Sequence, residues 1–449
     1  MRRRTHWLAL TLVGAIVVGS VACDDEEPAE PNPPGATQVT ATTNVDTVSL
    51  SWTAVTGAAS YRAELDDGVN TLTKSGSDIE AEFTSADGIE DDVTYTATVY
   101  AINTDGETES SNSPTVLTNF FMWDEHFVTA LHATGRGMET FYEEANGGFE
   151  RFTNVAYADL ACKSCHEPAS TGGCASCHDS DSPGLGATVD ASLDGVCGPC
   201  HGRQRAEVAQ GYSDVHRDAG FDCMECHTME DVHGDGTAYA SMLEPGAIDA
   251  DCGDCHTSVP SNAYHDTHAT TVDCSACHMQ SVVSCNNCHF EAEIAGEGKI
   301  AYGQFKDWVF LMNYDDGTGS KVYGANYQSV KYGDNTLVAF APFYAHTIAR
   351  NAVTCGSCHG NMGNQNVQDY FANGSIDVVT WDPVSETLSH ATDRVPVPPD
   401  FLTTMDFDFV TLDSVVNDTK YWSFLKAGAD TIQIVYGSAL TADQMNKLQ

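Results

Sequence analysis

The sequence predicts a multidomain protein in which an N-terminal all-β sandwich precedes a region of loops and short helices packed around cofactors, with a small antiparallel sheet inserted into that region. Three observations predict it. Residues 38–119 run as short alternations of apolar and polar residues, punctuated by Gly57, Asp66-Asp67-Gly68, Asp87-Gly88 and Thr104-Asp105-Gly106. The phrase C-x-x-C-H occurs seven times between Cys162 and His289 and an eighth time from Cys355 to His359. The 65 residues between the last two phrases hold three strand-like runs, 306–313, 321–332 and 335–343.

The chain opens on Arg2, Arg3 and Arg4 followed by an apolar stretch to Ala22, which has signal-peptide length and is short for a membrane span, so residues 1–22 read as an export signal. Sixteen of the seventeen cysteines belong to the eight phrases, and the remaining one, Cys23, closes that segment. Gly19-Ser20-Val21-Ala22-Cys23 resembles a bacterial lipobox, which implies lipidation of Cys23, although Ser20 stands where such boxes usually carry an apolar residue. Residues 23–37 are acidic and proline-rich and read as a tether.

In residues 38–119 the runs 47–55, 60–65, 81–83 and 93–103 fit a sandwich of about seven strands. Trp52, Tyr61 and Tyr95 resemble the strand-B tryptophan, the strand-C aromatic and the tyrosine-corner residue of an Ig-like, fibronectin type III domain. The resemblance implies a spacer or adhesion module rather than a catalyst.

Residues 120–360 form the cofactor domain, with 290–345 as its β insertion. In each phrase the two thiols are spaced to add across the two vinyl groups of one haem, and the histidine that follows sits under the iron. The attachment pairs are Cys162/Cys165, Cys174/Cys177, Cys197/Cys200, Cys223/Cys226, Cys252/Cys255, Cys274/Cys277, Cys285/Cys288 and Cys355/Cys358. Their proximal histidines are His166, His178, His201, His227, His256, His278, His289 and His359. Zinc ribbons and redox CxxC pairs do not require a histidine after every second cysteine. Eight haem c groups are therefore expected. Seven phrases in 128 residues leave about eighteen residues per haem, too few for an ordinary side-chain core, so the macrocycles themselves are expected to be the core.

The second axial ligand decides whether an iron only exchanges electrons or also binds a substrate. Of seventeen histidines, His6 leaves with the signal and eight are proximal; His126, His132, His216, His233, His265, His268, His346 and His390 remain, one per iron. His390 lies 31 residues beyond the last phrase in a polar stretch, and the sequence does not pair any of the eight with a particular haem.

The insertion reads as an antiparallel sheet turning at Asp315-Asp316-Gly317 and Gly333-Asp334-Asn335; the first turn offers carboxylates of the kind calcium takes, and a plain turn accounts for it as well. Residues 361–449 read as an α+β segment packing on the haem domain, with strands at 375–381 and 406–412 and a last helix opened by a Thr441-x-x-Gln444 capping box.

Composition is acidic: 64 Asp plus Glu against 20 Lys plus Arg, and 17 of the latter after signal removal give a mature charge of −47. Such a field repels nucleic acid and anionic lipid and favours cationic partners or metal ions; a solvated secreted surface looks the same.

Residues 120–390 resemble the multihaem c-type cytochromes, and the export signal, the lipobox-like cysteine and the N-terminal β-domain are similar to those of outer-surface lipoprotein cytochromes of metal-respiring bacteria. The resemblance implies an electron conduit toward an external acceptor or partner cytochrome, anchored to the outer membrane, at the cell surface or on its periplasmic face. Two other classes stay open. Octahaem oxidoreductases act on hydroxylamine, nitrite or tetrathionate and share the haem count; His233-Gly234-Asp235-Gly236 resembles them, but every phrase here ends in histidine and eight distal histidines leave no open iron. A filament-forming cytochrome would draw a distal histidine from its neighbour.

Overall fold

Eight short strands build the first of the two units, Met1–Phe120 and Phe121–Gln449, into which the chain divides. The computed structural model describes residues 32–43, 47–90, 93–118, 126–160, 176–178, 189–296 and 300–449. The strands are β1 (Val39–Thr43), β2 (Thr47–Trp52), β3 (Ser60–Asp66), β4 (Thr71–Gly76), β5 (Glu80–Thr84), β6 (Thr94–Asn103), β7 (Gly106–Glu109) and β8 (Thr115–Leu117). One sheet is ordered β1-β2-β5 and the other β4-β3-β6-β7, with β8 also on β6. Strict alternation of buried and half-exposed residues along β3 and β6 turns Tyr61, Ala63, Leu65, Tyr95, Ala97, Val99 and Ala101 onto Val48, Leu50, Trp52 and Phe83 of the facing sheet. The last edge is split in two because Pro114, which has no N–H to give the ladder, lies between β7 and β8; its carbonyl accepts from Ala97 N at 2.9 Å. The tyrosine corner is present: the Glu90 N–H donates to the Tyr95 hydroxyl at 3.0 Å, five residues upstream. Trp52 packs on Tyr61 with centroids 5.5 Å apart. The unit is a fibronectin type III-like sandwich.

The second unit begins with short elements: a 3-10 turn Phe127–Thr129, helix Arg136–Tyr142 starting after Gly135, then helices Gly202–Ala209, Val215–Asp218, Met229–His233 and Ala263–His268. Among the described residues from 189 to 273, Leu243 is the one buried apolar side chain. No side-chain core of ordinary size forms there.

The apolar residues return after the sixth phrase. Strands β9 (Val282–Asn286), β10 (Cys288–His289), β11 (Gly303–Asp315), β12 (Ser320–Tyr332), β13 (Asn335–Pro342), β14 (Ile376–Asp382), β15 (Thr387–His390), β16 (Asp393–Pro396), β17 (Met405–Val416), β18 (Thr419–Ala427), β19 (Thr431–Ile434) and β20 (Gly437–Ser438) make two sheets. The three expected strands are β11, β12 and β13, and they form the antiparallel centre of an eight-stranded sheet, β16-β11-β12-β13-β19, joined by β9 and β20 on β11 and β10 on β12. The tail strands β16 and β19 add in parallel. The smaller sheet is β15-β14-β17-β18. The run Trp308–Tyr314 is buried at every position, as in a strand covered on both faces. Trp308, Phe310, Tyr327 and Phe340 meet Phe407 and Val378 in the core common to the sheets, with Tyr327 stacked on Phe407 at 5.8 Å. In the β11–β12 turn Asp315 Oδ1 accepts from Gly317 N (3.0 Å) and Gly319 N (3.1 Å), and Asp316 Oδ1 accepts from Thr318 N (2.8 Å), so the turn's own amides occupy these oxygens. The last helix, Ala442–Leu448, opens with the reciprocal Thr441–Gln444 box.

Candidate haem sites

Several phrases are shaped by the residue before them. Asp222, Asp251 and Asp273 each cap the turn that starts at the following cysteine, accepting from Met224 N, Gly253 N and Ser275 N. In the third, fourth, fifth and eighth phrases the histidine N–H donates to the carbonyl of the first cysteine at 2.8–2.9 Å, closing one turn, and the sixth is the helix Cys274–His278. Such a turn sets both sulfurs and the imidazole toward one side, the arrangement one haem requires.

Six proximal histidines face a second histidine. Ring centroids are 6.1 Å apart for His178 and His233, 6.1 Å for His201 and His132, 6.2 Å for His227 and His346, 6.2 Å for His256 and His216, 6.3 Å for His278 and His265, and 6.3 Å for His359 and His268. With metal–imidazole bonds of about 2.0 Å and a ring nitrogen about 1.1 Å from its ring centre, two imidazoles trans on one ion have centroids about 6.2 Å apart. The residues fit an iron between each pair. Direct ring stacking would bring the centroids closer.

The far nitrogens of four of these rings are held. The Nδ1 of His278 lies 2.9 Å from the Ala349 carbonyl, that of His265 2.8 Å from the Pro260 carbonyl, that of His268 2.9 Å from the Tyr264 carbonyl and that of His227 3.1 Å from the Asp231 carboxylate. Donation from Nδ1 leaves Nε2 as the lone-pair nitrogen a metal takes. Burial, with the opposing His178 imidazole adding to it, lowers His233 to about 4, and burial pushes His132, His201 and His346 down as well. These rings are neutral at ordinary pH, the form that ligates.

Sulfurs of successive phrases adjoin one another. Cys197 lies by Cys177 and is in hydrogen-bond contact with Cys223; Cys226 lies by Cys255; Cys252 contacts Cys274; Cys277 lies by Cys355 and Cys358.

In the third phrase the two cysteines differ in exposure. Cys197 of the same phrase is half-buried, whereas Cys200 is exposed. Cys200 N donates to the Cys197 carbonyl at 3.2 Å, and Gly202 N donates to the Cys200 carbonyl at 2.9 Å, so the turn closes where helix Gly202–Ala209 begins.

Cys23, Cys162, Cys165, His166 and Cys174 lie outside the described residues. His126 lies against Gly236, where a Cβ would come within 3.0 Å of its ring; the positive φ of Gly234 and Gly236 is why the His233-Gly234-Asp235-Gly236 turn takes glycine. Two expected ligands are placed otherwise. His390, at the end of β15, stacks on Phe305 at 4.4 Å and lies 4.8 Å from Trp308, with Nδ1 bonded to the Ala391 carbonyl; among the described residues no histidine faces it, because the β14–β15 pairing carries it onto the sheet core. His289 lies 5.2 Å from Trp422 and likewise faces no described histidine. Sequence reasoning missed Arg394. It is 1 % exposed, donates from Nε to the Ala276 carbonyl (2.9 Å) and from Nη2 to the Met279 carbonyl (2.5 Å), and lies by Cys277 and Cys358. The signal available was a lone arginine among apolar β residues of a cation-poor chain.

The sequence matches the family model described as a doubled CXXCH motif over residues 166–206. The repeated phrase and this match define the class, a multihaem c-type cytochrome with covalently bound haem. Among curated proteins none matches the sequence. Among solved structures, similar ones are the FN5 domain of Drosophila Lar (23 % identical, covering 20 % of this chain and 99 % of that chain, TM-score 0.17) and the fn3 domain of the human collagen alpha-1(XX) chain (20 % identical, covering 22 % and 94 %, TM-score 0.16). A fourth FNIII domain of human origin is 20 % identical, covering 23 % of this chain and 96 % of that chain, with TM-score 0.19.

Proposed function

We propose that this cytochrome is an electron conduit whose haem irons are closed on both axial sides by histidine, so that it passes electrons and transforms no small substrate. The carrying observation is the set of six histidine pairs at 6.1–6.3 Å. Bound haem iron supplies the one-electron ferric/ferrous couple. The chain's own residues do the rest. Paired imidazoles occupy the positions a substrate would need, carbonyls and Asp231 fix the tautomers, and the adjoining cysteines set neighbouring sites edge to edge in the order second, third, fourth, fifth, sixth, eighth. For the first phrase, His126 is the histidine left to face His166. The acidic charge of −44 favours cationic partners or metal ions as redox partners. The signal-like start and Cys23 support export and a lipid anchor, and hence a place at the outer membrane or cell surface with another cytochrome or an external acceptor as partner.

An EPR spectrum of the oxidised holoprotein tests the ligation. It should be low-spin at every haem, and the reduced protein should bind carbon monoxide only slowly. A stoichiometric high-spin signal with rapid carbon monoxide binding would favour an oxidoreductase instead.

A further inference from the structure

The seventh phrase, Cys285-Asn286-Asn287-Cys288-His289, is built unlike the others. The His289 N–H does not close on Cys285; it donates to the Ile300 carbonyl at 2.8 Å. The phrase is strand on either side of Asn287, with Cys285 and Asn286 ending β9 and with Cys288 and His289 paired to Val330 and Lys331 of β12. Consecutive strand residues point to opposite faces. Cys288 accordingly packs with Tyr142, Val330 and Leu337, while the His289 ring turns toward Trp422. One macrocycle cannot meet a sulfur on one face and an imidazole on the other.

The nitrogens of His289 are also engaged. Nδ1 lies 3.1 Å from the Asn287 carbonyl, and Nε2 accepts from the Leu412 N–H at 3.1 Å, the place an iron would take. A cavity of about 370 Å³ adjoins His289, and its lining includes Lys331, Glu291 and Thr411 but neither cysteine.

The residues between the cysteines do structural work that a haem turn would undo. Asn286 Oδ1 accepts from the Tyr327 hydroxyl (2.5 Å) and the Ser329 hydroxyl (2.8 Å). Asn287, at φ 55°, donates from Nδ2 to the Val410 carbonyl (2.6 Å) and accepts at Oδ1 from Val410 N (3.1 Å). Asparagine tolerates that left-handed backbone better than other residues with a side chain. The sulfur contacts agree, since Cys277 of the sixth phrase adjoins Cys355 and Cys358 of the eighth.

We infer that the seventh phrase holds no haem in the folded protein and is the join that ties β9 to β12 and β17. Resting on the conduit reading for the other phrases, the mature chain then carries seven haems, and its relay passes from the sixth phrase to the eighth.

Peptide mapping with intact-mass measurement, on protein matured with haem-ligation machinery, tests this. The peptide spanning Cys285 and Cys288 should carry no haem increment, its two sulfurs should take a maleimide label after unfolding and reduction, and the intact mass should show seven haems. The Cys285→Ser/Cys288→Ser variant should keep the wild-type haem count and low-spin spectrum. A haem on that peptide, an intact mass with eight, or loss of one haem in the variant overturns the inference. If the variant does not accumulate, the wild-type map decides alone. Haem missing from all the peptides would instead sink the conduit reading.

Discussion

At the scale of single residues, the axial imidazoles are set by what holds their far nitrogens. Asp231 is the strongest case, because its two carboxylate oxygens receive two donors: His227 Nδ1–H at 3.1 Å and Asp249 N–H at 2.9 Å. A carboxylate partner makes the ligating imidazole more basic, which favours ferric over ferrous iron. Asp231→Asn offers one acceptor where two N–H groups converge, so one bond is lost whichever way the amide turns. The expected outcome is a rise of tens of millivolts in one haem potential with low-spin ligation kept, since a tenfold change in relative affinity is about 59 mV for one electron. Redox titration followed by visible spectroscopy measures it; an unchanged set of potentials would show that Asp231 does not tune His227. Asp231 lies four residues after His227, so this pairing was legible in principle. The histidine pairs were not. Counting gave eight spare histidines, but His346 reaches His227 only because β13 ends beside helix Gly202–Ala209, where Glu207 Oε2 accepts from His346 N at 3.1 Å. His390 entered the count because a polar sequence context hides that its strand pairs with β14 over an aromatic core.

At the scale of elements, local signals were readable and long-range pairings were not. The final helix announced itself through Thr441 and Gln444, and the β12–β13 hairpin through Gly333, whose φ of 57° suits the first position of a two-residue loop. Nothing local in residues 393–396 says that β16 will lie parallel to β11. That pairing carries Arg394 under the sixth phrase, while its carbonyl accepts from Asn364 Nδ2 (2.8 Å) and Asn366 Nδ2 (3.2 Å); Asn364 also donates to Ser357 O inside the eighth phrase (2.5 Å). One strand thus locks the sixth and eighth phrases together. Replacing Arg394 by Met leaves the Ala276 and Met279 carbonyls buried without their charged donor. Bonds to a charged donor are worth about 1.5–3 kcal/mol each, so a loss of about 3 kcal/mol or more is expected in denaturant unfolding of the holoprotein. Two haem potentials should also fall, because a buried cation nearby favours the reduced iron. Arg394→Lys, which keeps the charge, should lose stability but retain most of the potential. If Met and Lys variants have the same potentials, the guanidinium acts through packing alone.

At the scale of the whole molecule, the chain divides its stability between two kinds of core. The sandwich and the mixed sheets bury aromatic and branched side chains around Trp52, Tyr95, Trp308 and Tyr327, and their alternation or continuous apolar runs made them legible in the sequence. Residues 189–273 are different, because ordering them costs about 1–2 kcal/mol of backbone entropy per residue while Leu243 is the one buried apolar side chain there. A formal charge of −44 adds self-repulsion to that cost. Covalent haem must supply the missing apolar burial there, and binding that exists only in the folded state is folding free energy. Protein made without haem maturation should therefore split in behaviour. By hydrogen exchange, amides of β3 and β6 should stay protected, whereas those of helices Gly202–Ala209 and Ala263–His268 should exchange at nearly unfolded rates. In the holoprotein the same helices should be protected by several orders of magnitude. Protection of Gly202–Ala209 in haem-free protein would show that side chains alone hold this region, and the account of a haem-built core would have to be abandoned.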